Sequence, residues 1–197
     1  MDEQVIRSLL KWPDVPDCFG WLALDRRGQW RMRNEFAQLH HLPGTPIEHT
    51  GLKEYISRNY THDALGRYYF QNGPQKVFVT LDSCPWVVRM QPSSNYPNAF
   101  TLVTQCGSLL DPHGALSDEV GNIYIVGTVA ENQAISVALL HDHDLAPFSE
   151  LSSVEEDACS YRGSWNWGDK KLPIDPIASS QLSSRYHFVK TPSKLIN

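Results

Sequence analysis

Asp25-Arg26-Arg27-Gly28-Gln29-Trp30 recurs in pattern as Asp63-Ala64-Leu65-Gly66-Arg67-Tyr68 and as Asp118-Glu119-Val120-Gly121-Asn122-Ile123. In each copy an Asp is placed to accept hydrogen bonds from the backbone two residues on. A Gly follows that tolerates positive φ, and a β-favouring residue stands just beyond. Together these spell a tight reversal feeding a strand. Calcium loops string several oxygen ligands at alternating positions, whereas each reversal supplies a single acid at its head. Asp25, Asp63 and Asp118 therefore read as turn formers rather than as ligands or acid–base groups. The repetition is compatible with internal duplication, although a turn motif this short also arises independently.

Working outward from the first reversal, residues 19–24 and 29–33 read as a hairpin, with Trp21 and Trp30 in its sheet. Upstream, Val5, Ile6, Leu9 and Leu10 fall at helical spacing behind acids in the first turn, predicting a helix over 2–11 that Trp12-Pro13 stops. The stretch around His40 and His41 is polar and reads as irregular, ahead of the turn cluster Pro43-Gly44-Thr45-Pro46. Leu52, Tyr55, Ile56 and Tyr60 recur every three or four residues, predicting a helix over about 50–59 whose apolar face packs inward. The second reversal then leads from this helix into a strand at 67–70, and Asn72-Gly73-Pro74 turns the chain into another at 76–81. A strand at 86–90 follows the turn Asp82-Ser83-Cys84-Pro85.

Residues 91–98, rich in Pro, Ser and Asn, suggest a boundary between an α+β half over 1–92 and a β-rich half over 98–197, in one compact unit or two. Strands are expected at 100–106, 123–128 and 134–140, and a short helix at 147–154. Asp175-Pro176 has the form of a helix start, N-cap followed by Pro at the first helical position, with the helix finishing near Arg185 and a strand at 186–189. The whole predicts an α+β protein of mostly antiparallel short strands and hairpins, with three or four peripheral helices in two tightly packed halves.

Composition bounds the function. At 197 residues, with 41% hydrophobic and 20% charged side chains, the chain is long and apolar enough to bury an adequate core. The N-terminus lacks the basic start and apolar run of a signal peptide, and nowhere do 18 apolar residues run together, so a cytoplasmic protein with no membrane contact is expected. Cys18, Cys84, Cys106 and Cys159 stand far apart without a Cys-x-x-Cys pair and read as reduced thiols. The net charge of −5 is uneven. Between Arg89 and Arg162 there is no Lys or Arg but ten acids, while the remaining residues carry 17 basic and 12 acidic groups. Nucleic-acid binding needs clustered cations, and the middle of this chain would repel phosphates. Either the basic C-terminal segment, with Lys170, Lys171, Arg185, Lys190 and Lys194, folds back near the acids, or the acids present a face to a basic partner protein.

The tract His141-Asp142-His143-Asp144 is the densest local chemistry. At strand spacing its two imidazoles would share one face and its two carboxylates the other, so that a pair plus one further ligand could hold a metal or relay a proton. The competing reading is a solvated strand end. In Gly163-Ser164-Trp165-Asn166-Trp167-Gly168 two Trp lie on one face of an extended segment, suited to stacking on a sugar or base or, more simply, to core packing. No nucleophile elbow, phosphate loop or dinucleotide fingerprint is present, so no catalytic residue is named and no cofactor is expected.

A wider pattern includes Asp25-x-x-Gly28-x-Trp30, Gly44-Thr45-Pro46-Ile47, Leu52-x-x-Tyr55-Ile56 and Gly66-Arg67-Tyr68-Tyr69. It continues through Gly73-Pro74-Gln75-Lys76-Val77 and Leu81-Asp82-x-x-Pro85-Trp86-Val87-Val88. This order resembles a proteobacterial family of domains of unknown function, related to a second uncharacterised family with the same skeleton. The resemblance is most specific over residues 21–90 and thinner at 139–145. It implies a small β-rich bacterial protein of two packed halves with a role in signal transduction, and it supplies no catalytic residues.

The reading that follows is a non-enzymatic binding or regulatory module that offers a cleft or face to a small ligand or a protein partner. Trp30, Tyr68, Arg89, Trp165 and Trp167 are its candidate contacts, with His141 and His143 at the rim. The alternative is a metal-dependent, hydrolase-like enzyme with His141 and His143 as ligands and Asp142 or Asp144 as the outer or base carboxylate. A structural subunit serving assembly is the third reading, and a homodimer is compatible with all three.

Overall fold

A computed structural model describes residues 1–93, 100–130, 134–154 and 162–194. The chain forms two compact units, Met1–Pro85 joined by the C-terminal segment from His187, and Trp86–Tyr186. The mixed α+β class expected from the sequence is what the structure shows.

In the first unit, helix α1 (Glu3–Lys11) precedes strands β1 (Cys18–Leu24) and β2 (Trp30–Met32), helix α2 (Glu35–Leu39), strand β3 (Thr45–Pro46) and helix α3 (Thr50–Arg58). Strands β4 (Tyr60–His62), β5 (Tyr68–Asn72) and β6 (Gln75–Leu81) complete a sheet of order β3-β2-β1-β6-β5-β4. Its neighbours are antiparallel except β1 and β6. Leu24, Phe78, Val79 and Ile56, each no more than 1% exposed, mark its core.

The second unit contains β7 (Trp86–Pro92), β8 (Phe100–Thr104), β9 (Leu109–Ser117), β10 (Ile123–Val129) and β11 (Ile135–Leu140). Because β10 pairs with β9 and β11 pairs with β7, these five strands close on themselves as a barrel, which leaves no free edge within the ring. A 3-10 turn (Asp142–Asp144), helix α4 (Leu145–Glu150), β12 (Ser152–Val154), β13 (Gly163–Trp167) and β14 (Lys170–Pro176) follow. A second 3-10 turn (Ser179–Gln181) leads into α5 (Leu182–Arg185). Strand β14 joins the far end of β9 in parallel, so the sheet β14-β13-β12 extends from the barrel wall.

All three reversals fold alike. The Gly N–H donates to the Asp carbonyl and the Asp N–H to the carbonyl of the residue after the Gly, as in Gly66 to Asp63 (3.0 Å) and Asp63 to Arg67 (3.1 Å). The three glycines sit at φ +76, +73 and +85, the left-handed position that closes a three-residue hairpin loop. One carboxylate oxygen of each Asp accepts two loop N–H groups, at 2.9 and 2.9 Å for Asp25, 3.0 and 3.0 Å for Asp63, and 3.1 and 2.8 Å for Asp118. The other oxygen takes Arg31 Nε, Arg67 Nε, or the Asn122 amide with the Tyr124 hydroxyl. These acids are fully engaged in building the loops.

Several expectations are corrected. The stretch before His40 is a helix, α2, because Asn34 caps it by accepting the Ala37 N–H at 2.9 Å. Phe36 and Leu39 on α2 stay 62% and 75% exposed, so no apolar periodicity signalled it. The second reversal closes the β4–β5 hairpin rather than joining helix to strand, since Tyr60, Thr61 and His62 pair with Phe70, Tyr69 and Tyr68. Asp175-Pro176 ends β14 instead of starting a helix. Leu172 and Ile174 are buried between exposed Lys171, Pro173 and Asp175, and that two-residue alternation outweighs the capping signature. No strand forms at 186–189, because His187 takes φ 52 and the backbone leaves the extended region there. The helix expected over 147–154 runs over Leu145–Glu150 and gives way to β12. Of the expected boundary, Gln91 and Pro92 close β7, and residues 94–98 lie outside those described, as do Cys159 and the acids at 131 and 155–157. Cys18, Cys84 and Cys106 are free thiols. No helix among the described residues is long and apolar enough to cross a membrane.

Asp144 fixes one corner of the second unit. Its carboxylate, on a residue only 5% exposed, accepts Arg89 Nε at 2.6 Å and the Met90 N–H at 3.0 Å, with Arg89 NH2 at 3.3 Å from its other oxygen. Replacing Asp144 by Ala strands the Met90 N–H and should lower stability by about 1–3 kcal/mol. Arg89→Lys should recover less than the wild-type value because an ammonium cannot reproduce the two-pronged contact, and chemical denaturation of both variants measures this.

The reversal glycines give a second comparison. A Cβ on Gly66 would drive into the carbonyl oxygen of His187, whereas one on Gly121 meets nothing within 4 Å. Gly121→Ala should therefore show only the left-handed penalty of about 1–2 kcal/mol, and Gly66→Ala a clearly larger fall in Tm, since the C-terminal segment must move as well.

Candidate functional site

Strands β1, β6 and β5 of the first unit carry a small, branched or aromatic apolar surface, and α3 is laid over it by the inward face read from Leu52, Tyr55 and Ile56. The two surfaces do not close completely. Between them lies a cavity of about 280 Å³ whose walls include Leu22, Ile47, Leu52, Ile56, Phe70 and Val77. Its polar groups are few: the Cys18 thiol, the Tyr55 hydroxyl and the Asn72 side chain. Trp21 and Met32, 39% and 45% exposed, also line it and present apolar surface to solvent.

Two of these groups have an identifiable state. Burial pushes the Cys18 thiol above its ordinary pKa, so it stays protonated and behaves as a small apolar group with a weak donor. Tyr55 stands edge-on to Phe70, ring centroids 5.2 Å apart, and its hydroxyl accepts the Gly73 N–H at 3.3 Å. That leaves the phenolic hydrogen available to a ligand acceptor, since the oxygen both donates and accepts. The arrangement can bind and orient a small molecule.

The residues named from the sequence lie elsewhere. Trp30 and Tyr68 belong to the first unit, 2% and 6% exposed, and both pack on Tyr60, at 5.1 and 5.3 Å between ring centroids. Trp30 Nε1 is buried with no hydrogen-bond partner among the described residues. Arg89, Trp165, Trp167 and the His/Asp tract belong to the second unit. There Arg89 is tied to Asp144, and α4 carries Phe148 against Trp165 (5.1 Å), which in turn packs on Trp167 (4.9 Å). Trp165 is fully buried, a core side chain, while Trp167 is half-buried beside it.

The tract itself is not extended. His141 is the N-cap of the 3-10 turn Asp142–Asp144, and its Nδ1 accepts the His143 N–H at 3.1 Å. The alternation of imidazoles and carboxylates expected from strand spacing is thus replaced by a turn that gathers His141, Asp142 and His143, while Asp144 turns to Arg89. The gathered ligand atoms lie within 4.8 Å of one another. Burial first, and then the Arg89 charge, hold the His141 imidazole below its usual pKa, so it is neutral near pH 7.

Sequence reasoning missed the cavity. The signal for its roof was present in the periodicity of α3, but no one-dimensional pattern records that two apolar surfaces leave a gap.

Comparison with known proteins places the architecture. A DUF1285 family protein from Silicibacter pomeroyi DSS-3 is 16% identical and superposes with a TM-score of 0.50 over 82% of this chain and 84% of its own. A second DUF1285 family protein, from Shewanella baltica OS155, is 14% identical, with a TM-score of 0.44 over 66% of this chain and 91% of its own. At 16% identity the first likeness concerns the fold alone. No curated protein matches the chain. The model of the family described as "Protein of unknown function (DUF2946)" matches residues 1–193, and the chain belongs to that family.

Proposed function

We propose that the protein is a regulatory binding module, with a role in signal transduction, whose first unit takes a small, mostly apolar molecule beneath α3. The observation that carries this reading is the cavity of about 280 Å³, apolar over most of its wall and bordered by a thiol, a hydroxyl and an amide. Pockets that hold small molecules combine such walls with a few polar groups that set orientation. By scaling from a cavity of about 150 Å³ that takes benzene, this one holds roughly ten to twelve non-hydrogen atoms. An aromatic or medium-chain acyl compound with one polar end fits that size. Its apolar part would lie against Leu22, Phe70 and Ile56, and its polar end would meet Tyr55 or Asn72.

Helix α3 gives the pocket a responsive roof. It is nine residues long, too short to be stable by its own hydrogen bonds, so its order depends on what its apolar face touches. A ligand that fills the gap adds contacts to Leu52, Tyr55 and Ile56 and stabilises the helix; an unfilled pocket leaves it less firmly held. This differential contact is the physical basis on which a ligand can shift a population and so regulate.

A thermal-shift screen of medium-chain fatty acids, alkyl alcohols and aromatic carboxylic acids tests the reading. One of these classes should raise Tm, corresponding to about 2.7 kcal/mol of stabilisation at a hundredfold excess over Kd. Leu52→Trp, which fills the gap from the half-buried roof, should abolish the shift while keeping the fold. A screen in which no class binds, or equal binding by the filled variant, overturns it.

A further inference from the structure

The turn after β11 assembles a second kind of chemistry. His141 Nδ1 and Asp142 Oδ1 stand 2.8 Å apart, and His143 Nε2 is 4.0 Å from the same carboxylate oxygen. The two imidazole rings meet edge to face, with centroids 4.7 Å apart. We propose that His141, Asp142 and His143 form a binding site for one divalent cation of the zinc class, held by two imidazoles and a carboxylate with its remaining position open to water.

The spacing suits such an ion. Bonds of about 2.0–2.1 Å in a tetrahedral site put ligand atoms roughly 3.4 Å apart. The observed 2.8 and 4.0 Å lie on either side of that value. The adjustment falls on the side chains most able to make it, since the His143 side chain is 65% and the Asp142 side chain 46% exposed. His141 provides the fixed point, because it is buried and caps the turn.

The His141 ring nitrogen stands between two groups that ask different things of it. His141 Nδ1 accepts the His143 N–H, which requires its lone pair, yet the same nitrogen faces the Asp142 oxygen at 2.8 Å. A ring nitrogen that accepts has no hydrogen to offer a carboxylate. Without a cation the imidazole must either leave the amide of His143 without its acceptor or face the carboxylate lone pair against lone pair. An ion shared by Nδ1 and the Asp142 oxygen satisfies the ring nitrogen and the carboxylate together, and it takes from the His143 N–H the lone pair that the amide now uses. The neighbouring Arg89 guanidinium is paired with the Asp144 carboxylate, which offsets part of its charge at the site.

The turn is held at both ends before any ion arrives. The His141 N–H donates to the Val88 carbonyl at 3.0 Å, and Asp144 accepts the Met90 N–H at 3.0 Å, so both ends are tied to β7. Ligands presented on an anchored turn lose little conformational freedom on binding. Soft thiolates are absent from the trio, and imidazole with carboxylate favours zinc, cobalt or nickel over magnesium or calcium. Three protein ligands leave room for a water whose pKa the ion would lower, as in catalytic rather than structural zinc sites.

The test uses the full chain stripped with chelator and titrated with zinc chloride at neutral pH by calorimetry, with cobalt(II) as a spectroscopic substitute. One equivalent of zinc should bind, and cobalt should give a visible ligand-field band. His143→Ala and Asp142→Asn, each confirmed as folded by its Tm, should each weaken zinc binding by at least about tenfold and lose the cobalt band. His40→Ala, at an exposed histidine in the first unit, should bind zinc as the wild type does. The proposal fails if the wild type takes up no stoichiometric zinc, if the two site variants bind it equally well, or if His40→Ala weakens it to the same degree. Such a failure leaves the cavity of the first unit untouched, since neither site shares a residue with the other.

Discussion

A carboxylate oxygen that accepts two N–H groups of its own loop is the constraint on which both sheets depend. Asp25, Asp63 and Asp118 each make this double contact, and each is followed three residues on by a glycine in the left-handed region. The loop is thereby closed by its own residues, and the register of the hairpin it joins is set by the loop itself. In the first unit this fixes β1 against β2 and β4 against β5, which places the surfaces that line the cavity. In the second unit it fixes β9 against β10, the longest pairing in the barrel, and β9 in turn carries β8 on one part of its other edge and β14 on the rest. The three loops differ in how far they are sunk. Asp118 is 2% exposed and adds Tyr124 to its partners, so its reversal belongs to the core, while the loop N–H groups held by Asp25 are exposed.

Barrel closure and cavity are two answers to one packing problem. Five strands closed on themselves leave an interior that side chains can fill, and Val88, Leu102 and Ile125 of the second unit are at most 1% exposed. The sheet of the first unit is open and must be covered by something else, and a nine-residue helix is a small cover. Its turn spacing of 5.4 Å does not match the strand spacing of about 4.8 Å, so the fit of roof to floor is set by side-chain size. Ile56 reaches full burial, Leu52 and Tyr55 do not, and the space beside them is the cavity.

Local signals in the sequence were legible where one interaction dominated. The tight turns are legible because Asp and Gly at fixed spacing leave few alternatives, although the strand that the second one follows, β4, is not, and α3 is legible because its apolar residues share one face. Where two local signals competed, the tertiary one prevailed. Asp175-Pro176 has the chemistry of a helix start, but Leu172 and Ile174 were needed in the sheet and carried the next two residues into the strand with them. The helix α2 shows the opposite case: it is held by one Asn34 cap while Phe36 and Leu39 face solvent, so hydrophobic periodicity had nothing to report. The His/Asp tract takes a geometry other than the strand spacing its alternation predicts. Strand alternation assigns His141 and Asp142 to opposite faces, whereas a 3-10 turn brings them to 2.8 Å.

That difference bears on the charge asymmetry of the chain. A run of ten acids without a compensating Lys or Arg invites the idea of an acidic docking face, yet several of these acids are committed within their own unit. Asp118 organises a buried loop, Asp144 holds Arg89 and the Met90 N–H, and Glu119 accepts the Ser179 N–H at 2.8 Å and its hydroxyl as well. A carboxylate whose lone pairs are taken by backbone and side-chain donors is a weak attractor for an external cation, since a partner would have to displace bonds already made. Asp142 stands apart from these three. Its carboxylate is half-exposed and lies 2.8 Å from His141 Nδ1 and 4.0 Å from His143 Nε2. Sequence charge alone weighs these acids equally; the hydrogen bonds separate Asp118, Glu119 and Asp144, which are spent on the fold, from Asp142, which sits beside two imidazoles.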